Sequence, residues 1–352
     1  MKQSILFSKN DTLQIKGIGI LLIVLHNFFH WVQPSTGENE FFFDILFFKN
    51  YATLLIDYPE QFVNLSFSFF GHYGVQLFIF ISGYGLSTSY SIKTSTYFAF
   101  IKHRLLKVYP PFLIGVFVLC LYTFFLNKKV LSIQWGLSII YKLLSIHIFL
   151  PEEALSINGP WWFFGLIIHF YFIFIPLQRL INRYGISGFL GINFSAYLLI
   201  FLLLEPLLEH KIYVMANVIG HLPEFTLGIF IASRKVISIR KSWFFIALIT
   251  FSLGNIFFVF YPFTFLSIII IFLFLFQYRG SILNWMKALI EFFGDYSLFI
   301  FVLHGFFRNI FIPLTIEKSI LEVIGFALAY LFFVTILSVV CQKIYNYLKT
   351  IL

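Results

Sequence analysis

Long apolar runs recur along the whole of this 352-residue chain, and they constrain its fold more than any other feature. An α-helix needs about 20 mostly apolar residues to cross the hydrocarbon core of a membrane. Only 11% of the residues are charged, whereas about a quarter are charged in soluble domains. The runs that come close to this length are residues 14–33, 73–91, 108–126, 160–178, 187–205, 213–233, 243–261, 262–279, 290–312 and 322–345. The sequence therefore predicts an all-α integral membrane protein with about ten transmembrane helices.

Two further segments are apolar but carry polar interruptions, and we expect them to form interfacial or re-entrant helices. Residues 131–150 are interrupted by Gln134, Lys142 and His147, and residues 41–70 by several charged side chains and a proline. The sequence shows no internal repeat, low-complexity tract or soluble appendage. We therefore expect residues 1–352 to form a single transmembrane domain that carries the whole activity.

The formal net charge of +9 fits the positive-inside rule for membrane proteins, so no nucleic-acid partner is expected. With ten crossings and the N-terminus inside, most of the 24 Lys and Arg residues fall in inner segments. This bias predicts cytoplasmic termini and a place in the inner (plasma) membrane, with lipid as a partner. The two cysteines, Cys120 and Cys341, lie within apolar runs and form no disulfide framework or metal motif, so no metal is expected.

Ionisable side chains inside the predicted spans are the candidates for function, because such groups are costly in lipid and usually face the bundle interior or a wet cavity. They are His26 and His30 in the first span, His169 in the fourth, His221 and Glu224 in the sixth, and His304 and Arg308 in the ninth.

Each candidate also has a structural interpretation. His30 and Arg308 lie near the predicted outer boundary, where a long or polar side chain can reach water. His169 suits a hydrogen bond between helices. Glu224 directly follows a proline, so it either lines a kink or orients a substrate hydroxyl or a histidine. For His26 and the histidine of the ninth span, a structural and a catalytic role both remain open on residue chemistry alone.

Six local patterns resemble the acyltransferase-3 family of ten-helix membrane O-acyltransferases, and they occur in the family's order from about residue 13 to 305. Each pattern alone is weakly specific, and the resemblance rests on all six in order. The patterns are Lys16-Gly17 followed by an apolar stretch to His26, Gly71-His72-Tyr73-Gly74-Val75-Gln76-Leu77-Phe78 through Ser82-Gly83, Arg104-Leu105-Leu106-Lys107-Val108-Tyr109-Pro110, Pro160-Trp161-Trp162-Phe163, Leu222-Pro223-Glu224-Phe225 with Gly228, and Gly294-Asp295-Tyr296-Ser297 through His304.

This resemblance implies transfer of an acyl group, often acetyl, from acyl-CoA to a hydroxyl of a cell-surface glycan or lipid-linked sugar. Such a transfer requires a base that takes the hydroxyl proton, and imidazole suits that role because its pKa lies near operating pH. The resemblance assigns the base to His26 and places His304 and Glu224 beside the acceptor.

The acyl-CoA donor is cytoplasmic and polyanionic, so basic residues at the inner face are expected to bind it. The matched motifs offer Lys16, Arg104 and Lys107 for this role, together with Ser82 and Gly83. Ordinary positive-inside charge is the competing interpretation of the basic residues.

The first motif departs from the family pattern in two ways. Lys16 replaces the usual arginine, and nine residues separate it from His26 where ten are commonest. At about 100° per residue, the common spacing puts the pair about 20° apart on a helix, whereas this spacing puts them about 80° apart. Asn27 occupies the aligned position, so either His26 turns inward through local helix distortion or Asn27 and His26 share the site. Lys16 and His26 are also about 15 Å apart along the helix axis, so they cannot both touch the reacting carbonyl.

A secondary transporter or flippase for a glycan-related or small polar substrate is the alternative function, in which the intramembrane His and Glu residues relay protons or bind the substrate. Inverted repeats would favour that alternative, and none is evident here. Aromatic residues of the outer segments suit either sugar stacking or an interfacial belt. They are Trp31, Phe41, Phe42, Phe43, Trp135 and Tyr141.

Overall fold

The computed structural model describes residues 7–92, 96–126, 132–234 and 238–351. Helices account for 84% of it, and the described residues contain no strand, which confirms the all-α class. The α-helices are α1 (Lys9–Phe29), α2 (Ile45–Asp57), α3 (Phe62–Phe70), α4 (Gly74–Ile92), α5 (Tyr97–Leu121), α6 (Ile133–Leu143), α7 (Trp162–Tyr184), α8 (Ile186–Glu209), α9 (Val218–Arg234), α10 (Lys241–Gly254), α11 (Thr264–Phe276), α12 (Asn284–Phe311) and α13 (Ile320–Ile351).

Eight helical segments among the described residues are long and apolar enough to cross a membrane. The predicted sixth and seventh spans correspond to the shorter helices α9 and α10, which have 17 and 14 residues. At 1.5 Å per residue these two helices are about 21–26 Å long, below the roughly 30 Å of a hydrocarbon core. The expectation of about ten membrane helices therefore agrees with the structure, with two of them short.

The segment 41–70 differs in part from the interfacial helix that we expected. Its second half, α3, joins α4 through a tight turn at Gly71–Tyr73, so that Pro59–Ser91 is one long span candidate. Lys49 lies within α2, but other polar residues that interrupt the segment lie at helix ends, such as Asp44, whose side chain caps α2 by accepting a bond from the Leu46 amide at 2.9 Å. They start and stop helices, which lets apolar residues between them extend the span.

The segment 131–150 contains the short helix α6 and a buried polar network, while residue 131 itself lies outside the described part of the chain. Lys142 is fully buried and donates from Nζ to the Glu153 carbonyl at 3.0 Å. The Glu153 carboxylate accepts from Ser138 at 2.9 Å and from Ser156 at 2.7 Å. Burial lowers the pKa of the Lys142 ammonium to about 7, and Glu153 offsets this only in part.

The lowered pKa of Lys142 predicts a stability that rises with pH. Between about 7 and the ordinary value of 10.5, the unfolded chain binds a proton at Lys142 that the folded chain does not. This group's contribution to the free energy of unfolding therefore grows by at most about 1.4 kcal/mol per pH unit from about 7 to 10.5, and it is lost over the same window as pH falls back to 7. Melting temperatures of wild type and Lys142→Met in detergent, measured from pH 6.5 to 9, test this. We expect the melting temperature of wild type to rise relative to that of Lys142→Met as pH increases. Parallel curves of melting temperature against pH would contradict the prediction.

Glycines bring the central helices α1, α4, α9 and α12 into backbone contact. A Cβ on Gly74 of α4 would lie 2.5 Å from the Gly19 carbonyl oxygen of α1. A Cβ on Gly83 would overlap the Phe225 carbonyl of α9, and one on Gly17 would overlap the Ile290 carbonyl of α12. We call these contacts the glycine seam. Because no side chain separates the backbones there, the seam fixes the helices that surround the candidate site.

Candidate active site

A cavity of about 530 Å³ lies at the end of the bundle where α1 and α12 finish. The loop after α1 and the start of α7 close over it. Its polar and charged lining residues are His26, Asn27, His30, Glu38, Glu40, His72, Asn158, Arg308 and Asn309. Aromatic rings complete the wall, among them Trp31, Phe41, Phe42 and Trp162. The cavity thus combines titratable groups with flat apolar surfaces, as ligand-binding pockets do.

His26 is held in the cavity wall by one hydrogen bond and one close glycine. Its Nδ1 lies 3.1 Å from the Phe67 carbonyl oxygen, which can only accept, so Nδ1 carries the proton. A neutral imidazole protonated at Nδ1 keeps a lone pair on Nε2. A Cβ on Gly71 would lie 2.6 Å from the His26 Cβ, so glycine is needed there for the two helices to meet. His26 is therefore oriented as a base with Nε2 free.

Two more histidines and a glutamate surround His26. Its ring centroid lies 5.5 Å from that of His30 and 5.7 Å from that of His72. His30 Nδ1 in turn lies 2.6 Å from a carboxylate oxygen of Glu38. A chain of polar groups therefore runs from the buried His26 through His30 to a carboxylate in the loop after α1.

His26, His30 and Glu38 also offer one ligand atom each within 4.8 Å of one another. Two imidazoles and a carboxylate form a donor set that zinc accepts in catalytic sites. The trio thus has two chemically sound uses, as a cation site or as a proton relay.

Asn27 and His26 both line the cavity, although they are adjacent in α1, which is α-helical from Lys9 to Phe29. The Asn27 amide is already engaged on both sides. Its Oδ1 accepts from Arg308 Nη1 at 2.7 Å, and its Nδ2 donates to the Ile23 carbonyl at 3.0 Å. Of the two residues, only the imidazole has a free basic nitrogen.

Glu40 adds a carboxyl group to the same cavity. The residue lies in the loop between α1 and α2, and burial raises the pKa of its carboxyl well above the ordinary value, with nearby Glu38 adding to the effect. The raised pKa favours the protonated carboxyl, and in that form Glu40 can donate a hydrogen bond to an oxygen in the cavity.

The structure places His304 and Glu224 outside the wall of this cavity. His304 is fully buried in α12, and its Nδ1 lies 2.8 Å from the Phe301 carbonyl. Glu224 lies 3.3 Å from His221 Nδ1, and the His221 ring stacks on Trp162, which does line the cavity. His26, His304 and Glu224 are thus not brought together into one constellation.

The three basic residues expected at the donor site do come together, near the N-terminal half of α1. Lys16 is in electrostatic range of Lys107 and of Asp295 in α12, and Lys107 is in range of Arg104. The Arg104 guanidinium lies 5.4 Å over the Phe100 ring.

The other two donor-site candidates lie on α4. Ser82 is half-buried. Gly83 belongs to the glycine seam against Phe225 of α9, so its close contact is with a neighbouring helix.

His72, Glu38 and Glu40 are cavity residues that the sequence analysis did not assign to the site. His72 lies within the Gly71–Gly83 pattern, so its place in a matched motif is the sequence signal that could have identified it. Glu38 and Glu40 belong to no matched motif, and they lie in a loop, where no periodic pattern of apolar residues indicates which way a side chain faces.

The fold and the cavity define a multi-pass membrane protein with a histidine-lined site at one end of its helix bundle. The family model Acyl_transf_3, described as an acyltransferase domain, matches residues 14–343, and the chain belongs to this family of membrane acyltransferases. None of the curated proteins and none of the solved structures compared with the chain matches it.

Proposed function

We propose that the protein is an O-acyltransferase that moves an acyl group, in the first instance acetyl, from acyl-CoA to a hydroxyl of a cell-surface glycan or lipid-linked sugar. The whole chain acts as one domain, with both termini in the cytoplasm and the cavity toward the outer side of the plasma membrane. The observation that carries the proposal is the free Nε2 of His26 in a cavity large enough for a sugar.

In the proposed reaction, His26 Nε2 takes the proton of the acceptor hydroxyl as its oxygen attacks the thioester carbonyl. The new C–O bond forms, the C–S bond breaks, and the proton passes from His26 to the departing CoA thiolate. The imidazolium formed in between is stabilised by the Glu38 carboxylate, which lies 2.6 Å from the neighbouring His30. The Glu40 carboxyl lines the same cavity, and in its protonated form it would donate to developing negative charge on oxygen.

The donor side of the proposal rests on the cluster of Lys16, Arg104 and Lys107. A polyanionic CoA needs cations, and Lys107 lies in electrostatic range of both Lys16 and Arg104 beside the N-terminal half of α1. Lys16 and His26 are about 15 Å apart along the axis of α1. The phosphates are therefore bound beside Lys16 while the thioester reaches His26.

Removing a charge from the basic cluster should weaken acetyl-CoA binding. We expect Lys16→Ala and Arg104→Ala each to raise the Kd for acetyl-CoA by about 10- to 100-fold, since a hydrogen bond to a charged group contributes roughly 1.5–3 kcal/mol. Isothermal titration of detergent-purified protein measures this. Arg183→Ala is the matched control, because Arg183 lies 5.2 Å over the ring of Tyr184 much as Arg104 lies over Phe100, but outside the cluster. Folded wild-type protein that binds no acyl-CoA would instead favour a transporter or flippase.

A further inference from the structure

We propose that Arg308 recognises an anionic group of the acceptor, a carboxylate or a phosphate, close to the hydroxyl that becomes acylated. This inference rests on the proposed function and deepens it, because it names the chemical class of the acceptor. Arg308 lies near the end of α12 and lines the same cavity as His26.

All of the contacts that the structure gives Arg308 are with neutral groups. Its Nη1 donates to Asn27 Oδ1 at 2.7 Å and lies 3.4 Å from the Asn27 carbonyl. Its guanidinium carbon lies 4.9 Å from the centre of the Trp31 ring. Its Nε is buried without a hydrogen-bond partner. Across the described ranges of the chain, no carboxylate lies within ion-pair distance of this guanidinium.

An arginine without a counter-ion in a membrane-spanning helix is costly, and such residues mark functional sites, substrate pathways among them. The two carboxyl groups of the cavity do not supply the missing charge. Glu38 is engaged with His30 at 2.6 Å, and Glu40 forms no ion pair with Arg308. The Arg308 guanidinium thus has no counter-ion within ion-pair distance among the described residues, and an anionic ligand would supply one.

The guanidinium group matches two ligand chemistries in particular. Its planar array of N–H donors binds carboxylates and phosphates in two-point fashion. Trp31, which is 53% exposed, presents a ring beside it, and aromatic rings stack on the apolar faces of sugars. Together the two side chains suit an acidic sugar, or a sugar joined to a lipid through phosphate.

The position of Arg308 also relates the anionic group to the reaction. Arg308 binds Asn27, the residue next to His26 in α1. An anion on the guanidinium therefore lies within a few ångströms of the cavity wall that holds the base. We infer that the charge and the accepting hydroxyl belong to the same sugar residue or to directly linked groups.

The test compares matched ligands on protein reconstituted in nanodiscs, without acyl-CoA. The probes are octyl β-D-glucoside, octyl β-D-glucuronide and octyl phosphate, all below their micellar concentrations, with binding measured by tryptophan fluorescence. The first two differ only at C6, where a carboxylate replaces a hydroxymethyl group. We expect wild type to bind at least one anionic probe about 10-fold or more tightly than the glucoside. A preference for the glucuronide indicates a sugar carboxylate, and a preference for octyl phosphate alone indicates a lipid-linked phosphate.

Three variants connect the preference to this residue. Arg308→Gln should reduce the preference to near 1 while glucoside binding persists, and Arg308→Lys should keep part of it. Arg183→Gln, which removes another ring-stacked arginine, should leave it unchanged. Equal affinities of wild type for all three probes, or an unchanged preference in Arg308→Gln, would overturn the inference. Because no transfer is measured, a protein that prefers the anionic probe but lacks acyltransferase activity would refute the proposed function and leave the anion site standing.

Discussion

Replacing His26 by alanine should abolish acyl transfer without weakening donor binding. The variant loses the only group that we assign to proton removal from the acceptor, and general-base catalysis typically contributes about 10²- to 10⁴-fold. The acetyl-CoA affinity should stay within about 2-fold of wild type, since the basic cluster lies about 15 Å away along α1. Transfer of radiolabelled acetyl to membrane glycans, together with titration of the purified protein, measures both quantities.

His169→Ala is the control for this prediction. His169 is also an intramembrane histidine, but its Nδ1 contacts the Gly165 carbonyl of its own helix at 2.7 Å, and it does not line the cavity. The control should keep most of the wild-type activity. If the His26→Ala protein is folded and fully active, His26 has no part in the mechanism, and the neighbouring His30 and His72 become the candidates for the base.

Gly83→Ala should destabilise the protein, whereas Gly85→Ala should not. The two glycines lie two residues apart in α4. A Cβ on Gly83 would overlap the Phe225 carbonyl of α9, and a Cβ on Gly85 would meet nothing within 4 Å. Overpacking of a tight contact typically costs about 1–3 kcal/mol and sometimes more, while alanine in an open helical position is favoured over glycine by about 1 kcal/mol. The melting temperatures of the two purified variants give the comparison.

This pair of variants also tests the assignment of Gly83 to the donor site. If Gly83→Ala keeps its wild-type melting temperature but loses acetyl-CoA affinity, Gly83 contacts the donor and the seam is not what constrains it. If it loses stability and the remaining folded protein binds acetyl-CoA normally, its role is to let two helices meet.

The helical class follows from the apolar runs alone, because in lipid the backbone must satisfy its own hydrogen bonds. The boundaries were harder to predict. Charged residues in segment 41–70 suggested an interfacial element, yet Asp44 and Pro59 mark helix starts and Asn64 turns inward, fully buried. Hydropathy measures how polar a residue is, but not whether its side chain caps a helix or faces a protein interior.

Sequence predicts a residue of the candidate site only where that residue belongs to a recognisable motif. The first-helix pattern led to His26, which the structure places in the cavity. Spacing along a helix does not say which neighbour a side chain faces, so His304 and Glu224 were grouped with His26 although neither lines that cavity. Glu38 reaches the site through a loop, and contacts made by loops leave no period in a sequence.

The glycine seam fixes the position of α1, which carries both Lys16 and His26, against its neighbouring helices. Lys16 and His26 lie about 15 Å apart along α1 at 1.5 Å per residue, and contacts at Gly17 and Gly19 prevent this helix from sliding past α12 and α4. In the proposed reaction, the acyl-CoA molecule must then extend from the basic cluster, where its phosphates stay bound, to His26, where its thioester reacts. A short thioester that lacks the nucleotide cannot be held by the basic cluster, and we expect it to react only as fast as free diffusion delivers it to His26.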